Sequence, residues 1–354
     1  MAVKRININE FLELAKKHVV IDVRSPSEYA HAHIPNAHSM PLFTDEERKV
    51  VGTTYKQASR EKAIKFGLDY FGPKMRKMVE EIETLSKVSN SEPHTSKIIL
   101  IHCWRGGMRS GAVSWLLDLY GFQIFTLEGG YKGYRNWILQ QFEKPYNFKI
   151  IGGFTGSGKT PLLYGLKKNR QEIIDLEGLA NHKGSALGGL GQNPQPSQEM
   201  FENLLGTELS KYDETTPIFL EDESQRIGNM QIPMAMWHNM RRGSVYFMDI
   251  PFEERLEYLT VEYGKHNKTD LVNAIMRIQK RLGGLETKNA INYLLENDFK
   301  ESFRILLKYY DKWYEKGLYN RENPEKLIQK INSQTVDSEA NTSILMNYIS
   351  AQTN

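Results

Sequence analysis

The only cysteine of the chain lies in a stretch with the composition of an anion-binding loop. In IHCWRGGMRSG, Cys103 follows an apolar strand pattern and precedes a pattern with helical spacing, so the thiol is predicted at a strand-to-helix turn. Backbone N–H groups and the positive end of a helix dipole stabilise anions and thiolates at such turns. We therefore predict a reactive thiol. The alternative is a buried structural cysteine, which needs no such loop.

The residues around Cys103 are of the types that hold an oxyanion. Gly106 and Gly107 are expected to adopt positive φ angles, and Arg105 and Arg109 are expected to add charge-assisted hydrogen bonds. The predicted catalytic residues are Cys103, Arg105 and Arg109, and the predicted anion loop also includes Trp104, Gly106, Gly107, Met108 and Ser110.

A second stretch, GGFTGSGKT, has the pattern of a phosphate-binding P-loop. It lies between the strand pattern FKII and the helical pattern PLLYGLKKN, which is where such a loop must lie. Its N–H groups can wrap a diphosphate, Lys159 can reach the outer oxygens, and the Thr160 hydroxyl can bind Mg²⁺. The predicted phosphate-binding residues are Gly153, Thr155, Gly156, Ser157, Gly158, Lys159 and Thr160. The alternative is a glycine-rich connector, and the pattern alone does not show ATP hydrolysis.

Two further stretches could contribute residues to a site at the P-loop. DLEGLANHKGSALGGLGQ is polar and rich in glycine, which favours a substrate loop, although a long surface connection has the same composition. IFLEDE ends a strand pattern with two acids, where P-loop proteins often hold the metal. The candidate substrate-loop and acidic residues are Asp175, Glu177, His182, Lys183, Ser185, Glu221 and Asp222.

Strands and helices alternate along most of the chain. VVIDVR, IILIHC and FQIFTLEGG are the strand patterns of the first part, and Gly121 is placed as the C-terminal cap of the helix behind Cys103. A polar stretch with a proline follows. After it the alternation of strands and helices resumes, with the strand patterns FKIIGG, EIIDLEG, TPIFLEDE and GSVYFMDI, which predicts a second parallel α/β sheet. After Pro251 the strand signal stops and helical periodicity follows, and the last fifteen or so residues are expected to be frayed.

Composition excludes several classes of site. One cysteine among 354 residues rules out an internal disulfide framework and any Cys-based zinc site. The formal charge of +3 is small, so any nucleic-acid contact must come from a local basic face. No segment reaches the apolar length that crosses a bilayer, and we expect a cytoplasmic protein without a membrane partner.

The segment DVRSPSEYAHAHIPNA resembles the first signature of rhodanese domains, whose central strand ends at a cysteine that carries a persulfide. Two glycines of that signature are Ala32 and Asn36 here. The stretch from Cys103 to Arg109 is one residue longer than in ordinary sulfur-transferring rhodaneses and satisfies the His-Cys-x5-Arg-Ser pattern of cysteine phosphatases. The longer loop suits phosphate or selenium, while the absence of a carboxylate within it disfavours a phosphatase.

A rhodanese-like domain joined to a P-loop domain resembles the tRNA 2-selenouridine synthase family. This resemblance extends through about residue 250 and rests on the stretches PLFTDEERKVVGTTYKQ, CWRGGMRS, GGYKGYR, GFTGSGKT, DLEGLANHKGS and EDESQRIGN. The family's His-Arg-Gly-Ser is His182-Lys183-Gly184-Ser185 here, where lysine keeps the charge but loses the planar fork. The resemblance implies a rhodanese-like α/β domain at 1–140, a linker at 141–147, a P-loop parallel α/β domain at 148–250 and a helical C-terminal region at 251–354.

The resemblance also implies an activity. Selenium from selenophosphate replaces sulfur in 2-thiouridine at the wobble position of tRNA, through an S-geranyl intermediate made from geranyl diphosphate. The implied partners are tRNA and a selenophosphate-producing enzyme; no tightly bound cofactor is expected, and Mg²⁺ at Thr160 is an expected ligand.

Basic and aromatic residues in GGYKGYRNW, RIQKRLGG and FRILLKYYDKWYEKGLYN favour a tRNA surface, although the last stretch has the spacing of a buried helix face. The alternatives are a cysteine phosphatase or sulfurtransferase fused to an ATP-binding kinase-like domain, and a nucleotide-gated binding module with a redox-sensing thiol.

Overall fold

The computed structural model describes residues 3–88 and 97–353. The chain divides into two compact units, Met1–Gln141 and Phe142–Asn354, so the division falls at the start of the predicted linker. Within the described residues, each unit contains a five-stranded sheet whose paired strands are all parallel. The predicted α/β architecture of both halves is confirmed.

The sheet of the first unit has the strand order β1-β5-β4-β2-β3. Its strands are β1 (Lys4–Ile6), β2 (Val19–Asp22), β3 (His38–Ser39), β4 (Ile98–His102) and β5 (Gln123–Leu127). The central strand β4 is buried on both faces, which explains its continuous apolar sequence. Because the carboxyl ends of parallel strands share one edge, the loop after β4, which begins with Cys103, lies beside the ends of β2 and β5.

Seven helices surround this sheet within the described residues. They are α1 (Ile8–Ala15), α2 (Pro26–His31), α3 (Asp45–Gln57), α4 (Arg60–Phe71), α5 (Met75–Val88), α6 (Met108–Tyr120) and α7 (Gly130–Gln141), with a short 3₁₀ turn at Gly72–Lys74. Helix α3 begins at a capping box in which Thr44 and Glu47 satisfy each other's backbone N–H groups. Helix α6 ends at Gly121 with φ 107°, which confirms the predicted left-handed cap.

The sheet of the second unit has the order β12-β11-β6-β8-β7. Its strands are β6 (Phe148–Gly152), β7 (Glu172–Ile174), β8 (Ile218–Glu221), β11 (Ser244–Asp249) and β12 (Ile328–Asn332), and a small antiparallel pair consists of β9 (Arg226–Ile227) and β10 (Met230–Gln231). The P-loop follows the central strand β6. Its neighbours β8 and β11 therefore end beside it.

The helices of the second unit lie on this sheet and beyond it. They are α8 (Lys159–Lys168), α9 (Leu176–Ala180), α10 (Gln198–Leu209), α11 (Met234–Arg242), α12 (Phe252–Tyr263), α13 (Lys268–Leu282), α14 (Gly284–Leu295), α15 (Phe299–Tyr319), α16 (Pro324–Leu327) and α17 (Ser338–Thr353). Helices α12 to α15 share an apolar core that includes Leu256, Leu271, Leu294 and Phe303, as the helical periodicity predicts.

The expectation that strands stop at Pro251 and that the last residues fray is wrong. Strand β12 pairs with β11 at the edge of the sheet, and its sequence IQKIN carries a weak strand signal because an edge strand is partly exposed. Helix α17 covers the last described residues. Leu345 is buried in the core, and the Thr342 side chain packs closely against Gly165 on α8. These few contacts hold α17 against the rest of the unit, although the overall composition of this helix is polar.

No helix among the described residues is long and apolar enough to cross a membrane.

Candidate active site

Cys103 is held at the turn between β4 and α6. The side chain is 3% exposed, and the Gly107 N–H donates to the sulfur across 3.3 Å. The Ser110 hydroxyl lies 3.2 Å from the same sulfur. Burial alone would raise the pKa of the thiol, but hydrogen bonds from Ser110, from its backbone N–H and from those of Gly107 and Arg105 outweigh it and lower the pKa below its ordinary value. The site therefore favours a thiolate.

The glycine pair of the loop does not behave as predicted. Gly106 has φ 64°, and a Cβ there would lie 2.8 Å from the Leu127 carbonyl oxygen, so a side chain is excluded. Gly107 has φ −110° and ψ −138°, so the prediction of a positive φ angle at this position is wrong. Gly107 contributes its N–H to the sulfur instead.

A second glycine pair, after β5, supports the thiol loop and was not predicted to do so. The N–H groups of Tyr131 and Lys132 donate to the carbonyl oxygens of Cys103 and Trp104, at 2.8 and 2.9 Å. Gly130 has φ 57°, and a Cβ there would lie 2.4 Å from the Cys103 oxygen. The sequence signal was the GG at the end of a strand pattern, which indicates close backbone approach but not the partner.

The two predicted arginines differ in their surroundings. The Arg109 guanidinium donates to both carboxylate oxygens of Glu28, with the shorter contact at 2.6 Å. Burial would raise the pKa of Glu28, but the Arg109 pair and the backbone N–H of Ser25 lower it. The charge of Arg109 is thus largely balanced before any anion binds. Arg105 is exposed, as are Trp104 and Met108.

A buried ion pair lies behind the thiol loop. Arg24 donates to both oxygens of Asp22 and also to the Ala32 carbonyl oxygen at 2.7 Å. Its guanidinium lies 3.8 Å from the centre of the Tyr131 ring. These contacts join the first signature to α7 and so fix the floor of the loop. Of the two departures from the signature, Asn36 has φ 65°, which asparagine tolerates better than most residues.

The P-loop connects β6 to α8 with the backbone that its glycines predict. Gly153, Gly156 and Gly158 have φ angles of 153°, 82° and 71°. A Cβ on Gly153 would lie 2.4 Å from the Ser157 hydroxyl, so this position accepts only glycine. Helix α8 begins at Lys159, which directs its first N–H groups and its dipole toward the loop.

The side chains of the P-loop have partners within the unit. Lys159 Nζ donates to the Gly153 carbonyl oxygen at 3.1 Å and lies 5.5 Å from the centre of the Tyr314 ring. The Thr160 hydroxyl donates to Glu177 Oε2 at 2.7 Å. Among the predicted acids, Glu177 is therefore the one that touches the P-loop threonine.

The acids at the end of β8 have their own hydrogen-bond partners, and Asp222 lines the same cavity as Thr160. Asp222 accepts a hydrogen bond from the Tyr314 hydroxyl at 2.8 Å and pairs with Arg321. The Tyr314 hydroxyl in turn accepts the Gly153 N–H at 3.1 Å. Glu221 is fully buried and accepts from the Leu176 N–H at 3.2 Å; burial and the nearby charges of other acids raise its pKa. Tyr314 comes from α15 and Arg321 follows the end of that helix, both far along the sequence, so no local pattern indicates them.

The candidate substrate loop contributes some of its residues to the cavity. Asp175 caps α9 by accepting the Gly178 N–H at 2.7 Å, and it also accepts from Tyr164. Lys183 pairs with Glu262 at 2.7 Å, a single-point contact at the position where the resemblance implies an arginine. His182 is half-buried, and burial lowers its pKa. Lys183 and Ser185 line the cavity described next, whereas Asp175 and His182 do not.

A cavity of about 600 Å³ opens above the P-loop. The P-loop lines the cavity together with Glu177, Glu223 and Lys183. Helices α12 and α15 line it as well, and they contribute Tyr258, Leu259, Tyr263, Tyr310, Trp313 and Tyr314. The aromatic residues of α15, predicted to be core or tRNA contacts, thus line the cavity at three positions. A ligand that combines a phosphate group with an apolar or aromatic body fits this lining.

The oxygen donors near Thr160 are of a kind that suits Mg²⁺. No group of three or more His, Cys, Asp or Glu side chains in residues 3–88 and 97–353 is arranged to hold a metal ion. Mg²⁺ commonly uses one or two carboxylates together with substrate phosphates, however, and Glu177 and Glu223 face the same cavity as the threonine. Burial and the charge of Glu177 raise the pKa of Glu223. A cation bound between the Glu177 and Glu223 carboxylates would reduce the repulsion between their negative charges.

Comparisons with known proteins match both units of the chain. The family model described as the tRNA 2-selenouridine synthase AAA domain matches residues 146–344, and the model of the rhodanese-like domain matches residues 8–136. The tRNA 2-selenouridine synthase of Sulfurovum sp. (strain NBC37-1) is 34% identical, over 90% of this chain and 93% of the relative. That of Hydrogenovibrio crunogenus is 34% identical over 89% and 93%, and that of Shewanella halifaxensis is 32% identical over the same shares. The chain belongs to the tRNA 2-selenouridine synthase family.

Proposed function

We propose that this chain is a tRNA-modifying enzyme that replaces sulfur by selenium in 2-thiouridine at the wobble position, through an S-geranyl intermediate. One structural observation supports the two-step form of this proposal. The chain has two loops that lead from a strand to the N-terminus of a helix, one around a thiol with a lowered pKa and one at a cavity with aromatic lining. Geranyl diphosphate and selenophosphate both carry phosphate groups, so each of the two donors requires a loop that can hold a phosphate.

The first step uses the P-loop cavity. The diphosphate of geranyl diphosphate lies on the loop N–H groups and Lys159, and the hydrocarbon chain lies along the aromatic wall. The sulfur of 2-thiouridine attacks the first carbon of the chain, the carbon–oxygen bond breaks, and diphosphate leaves while the nucleoside N3 loses its proton to solvent. Ring faces of Tyr310, Trp313 and Tyr314 stabilise the positive charge that develops on the allylic carbon. Mg²⁺ held by Thr160 and Glu177 would supply further charge for the leaving diphosphate.

The second step uses the thiol loop. The N–H groups around Cys103 hold the selenium donor. Water gives a proton to the Cys103 thiolate and attacks phosphorus, the phosphorus–selenium bond breaks, and phosphate and hydrogen selenide form; the thiol then loses its proton to solvent. Selenide then attacks C2 of the nucleoside, the C2–sulfur bond breaks, geranyl thiolate leaves, and the selenide proton moves to N3. The earlier alkylation makes this exchange feasible because an alkyl thiolate leaves more readily than sulfide.

The partners follow from this chemistry. The tRNA backbone requires basic side chains, and Lys280 and Arg281 in the last turn of α13 lie on the helical part of the second unit. Selenophosphate must be supplied by a separate enzyme that forms a phosphorus–selenium bond.

The proposal is tested by leaving out one reactant at a time. Purified protein is incubated with tRNA containing 2-thiouridine, geranyl diphosphate and selenophosphate, and the digested nucleosides are analysed by mass spectrometry. Geranylated nucleoside is expected without selenophosphate, and selenated nucleoside is expected with it. Lys159→Ala should lose geranylation but still selenate tRNA that is already geranylated, while Cys103→Ala should show the opposite loss.

Lys167→Ala is the matched control for the P-loop variant, because Lys167 is an exposed lysine on the same helix. If Lys159→Ala lost selenation of geranylated tRNA and kept geranylation, the assignment of the diphosphate to the P-loop would be wrong. If no nucleoside changed and the protein hydrolysed ATP or an aryl phosphate, a phosphatase fused to a kinase-like domain would replace the proposal.

A further inference from the structure

The first unit has an apolar pocket whose wall includes residues of the thiol loop. The pocket has a volume of about 140 Å³ and is lined by α3, α4 and the first turn of α6. Phe43 and Phe71 form its base, Ile64 and Leu68 belong to α4, and Met108 belongs to α6. It lies in the unit that holds Cys103, so it is distinct from the cavity above the P-loop.

The pocket favours an uncharged ligand. Arg109 is the one charged side chain that lines it, and the guanidinium already donates to both oxygens of Glu28. A charged group entering the pocket would lose water without gaining a free partner of opposite charge. The remaining lining is almost entirely hydrocarbon, which suits an alkyl or alkenyl group.

Several large apolar side chains around this pocket are left in contact with water. Leu68 is 58% exposed and Met108 is 52% exposed, and Tyr55 and Ile64 are exposed as well. Single exposed apolar residues are common, but a group of them around one apolar pocket marks a binding surface. A ligand that enters the pocket would cover these side chains.

The pocket and the thiol share one turn of helix. Met108 and Arg109 lie between Gly107, whose N–H contacts the Cys103 sulfur at 3.3 Å, and Ser110, whose hydroxyl lies 3.2 Å from it. Pocket residues such as Phe43 and Phe71 also belong to the same apolar cluster as Cys103. A group bound in the pocket is therefore held at a fixed position relative to the thiol loop.

We propose that this pocket binds the isoprenoid tail of the S-geranyl nucleoside during the selenium step; this inference rests on the function proposed above. A cavity of about 150 Å³ holds a molecule of the size of benzene. The pocket thus accommodates one isoprene unit, and the rest of the chain covers Leu68 and Tyr55 at its mouth. Binding the tail places C2 of the nucleoside beside the anion loop and retains the alkyl thiol that leaves when the C2–sulfur bond breaks and the C2–selenium bond forms. It also lets the unit distinguish alkylated from unalkylated 2-thiouridine.

The test compares two substrates in the selenium step. The full-length protein is given selenophosphate with tRNA that carries either S-geranyl- or S-methyl-2-thiouridine, and the ratio of the two kcat/KM values is measured. Leu68→Glu places a carboxylate at the pocket mouth, and the side chain is exposed enough for the fold to persist. The geranyl-to-methyl ratio should fall at least tenfold. Leu119→Glu, an exposed leucine on α6 outside the pocket, should keep the wild-type ratio.

The outcomes distinguish a failure of the pocket proposal from a failure of the proposed function. A wild-type ratio in Leu68→Glu, or an equal loss with both substrates, would overturn the role of the pocket. Ile64→Gln gives a second variant if the first proves unstable by thermal unfolding. If the wild-type protein selenates neither substrate, the proposed function itself fails, whereas a wild-type protein that selenates both equally well refutes only the tail-binding pocket.

Discussion

Replacing Ser110 with alanine should raise the pKa of the Cys103 thiol. The Ser110 hydroxyl lies 3.2 Å from the sulfur and is the largest of the contacts that lower this pKa against the effect of burial. The same hydroxyl lies 3.1 Å from the Gly107 carbonyl oxygen, and it has one proton to donate. A negative sulfur attracts that proton more strongly than a neutral carbonyl oxygen does, so the thiolate form gains the bond.

The size of the change follows from the strength of one such bond. A hydrogen bond to a charged group contributes about 1.5–3 kcal/mol, and a sulfur acceptor lies at the lower end. One pKa unit corresponds to about 1.4 kcal/mol, so the Ser110→Ala variant should have a thiol pKa raised by about one unit. Because the thiolate is the charged form, losing the donor disfavours it. At any pH below both pKa values the thiolate fraction then falls about tenfold, and the pH profile of selenation shifts toward alkaline pH by the same amount.

The single cysteine allows a direct assay. The ultraviolet absorbance of the thiolate is followed against pH in the wild type and the variant, and it needs no reagent to reach a sulfur that is 3% exposed. Ser114→Ala is the matched control, because Ser114 is a buried serine one turn along α6 whose hydroxyl has no hydrogen-bond partner among the described residues. The reasoning is refuted if Ser110→Ala leaves the thiol pKa unchanged, or if Ser114→Ala raises it equally.

Two further substitutions test the supports of the two sites. Gly130→Ala should abolish the lowered thiol pKa and selenation, because the added Cβ would lie 2.4 Å from the Cys103 carbonyl oxygen; a wild-type thiolate titration would contradict this. Arg255 donates to the Thr155 carbonyl oxygen of the P-loop at 3.0 Å. Arg255→Met should lower the free energy of unfolding by about 3 kcal/mol in urea, because it leaves the Asp311 carboxylate unpaired after the loss of hydrogen bonds of 2.9 and 2.7 Å. A loss below about 1 kcal/mol would show that water replaces the guanidinium.

Local patterns predicted the two loops because each loop is defined by backbone geometry within a few residues. The strand before the loop, the glycines and the helix after it are all adjacent in sequence, as at Gly153 and Gly158. The pattern failed at Gly107, where φ is −110° rather than positive and the residue contributes its N–H to the sulfur. Composition can indicate a nest of N–H groups, but it does not say which residue turns the chain.

The partners of the loops could not be predicted in the same way, since they come from distant segments. Tyr314 reaches the P-loop from α15, and Glu28 reaches Arg109 from α2. The helical spacing of α15 was compatible with a buried face or a tRNA surface, and it did not indicate that Tyr310 and Tyr314 would line the cavity. Amphipathic periodicity reports that one face of a helix is covered, but not what covers it.

The two anion sites differ in their electrostatics, and this difference constrains how each binds its ligand. Around Cys103 the donors are backbone N–H groups and a hydroxyl, and Arg109 is balanced by Glu28. Around the P-loop, Lys159 faces Glu177 and Glu223, and the pKa of Glu223 is raised by burial and by the charge of its neighbour. In the proposed function a diphosphate adds further negative charge beside these carboxylates, so we expect its binding to be coupled to a proton on Glu223 or to a divalent cation.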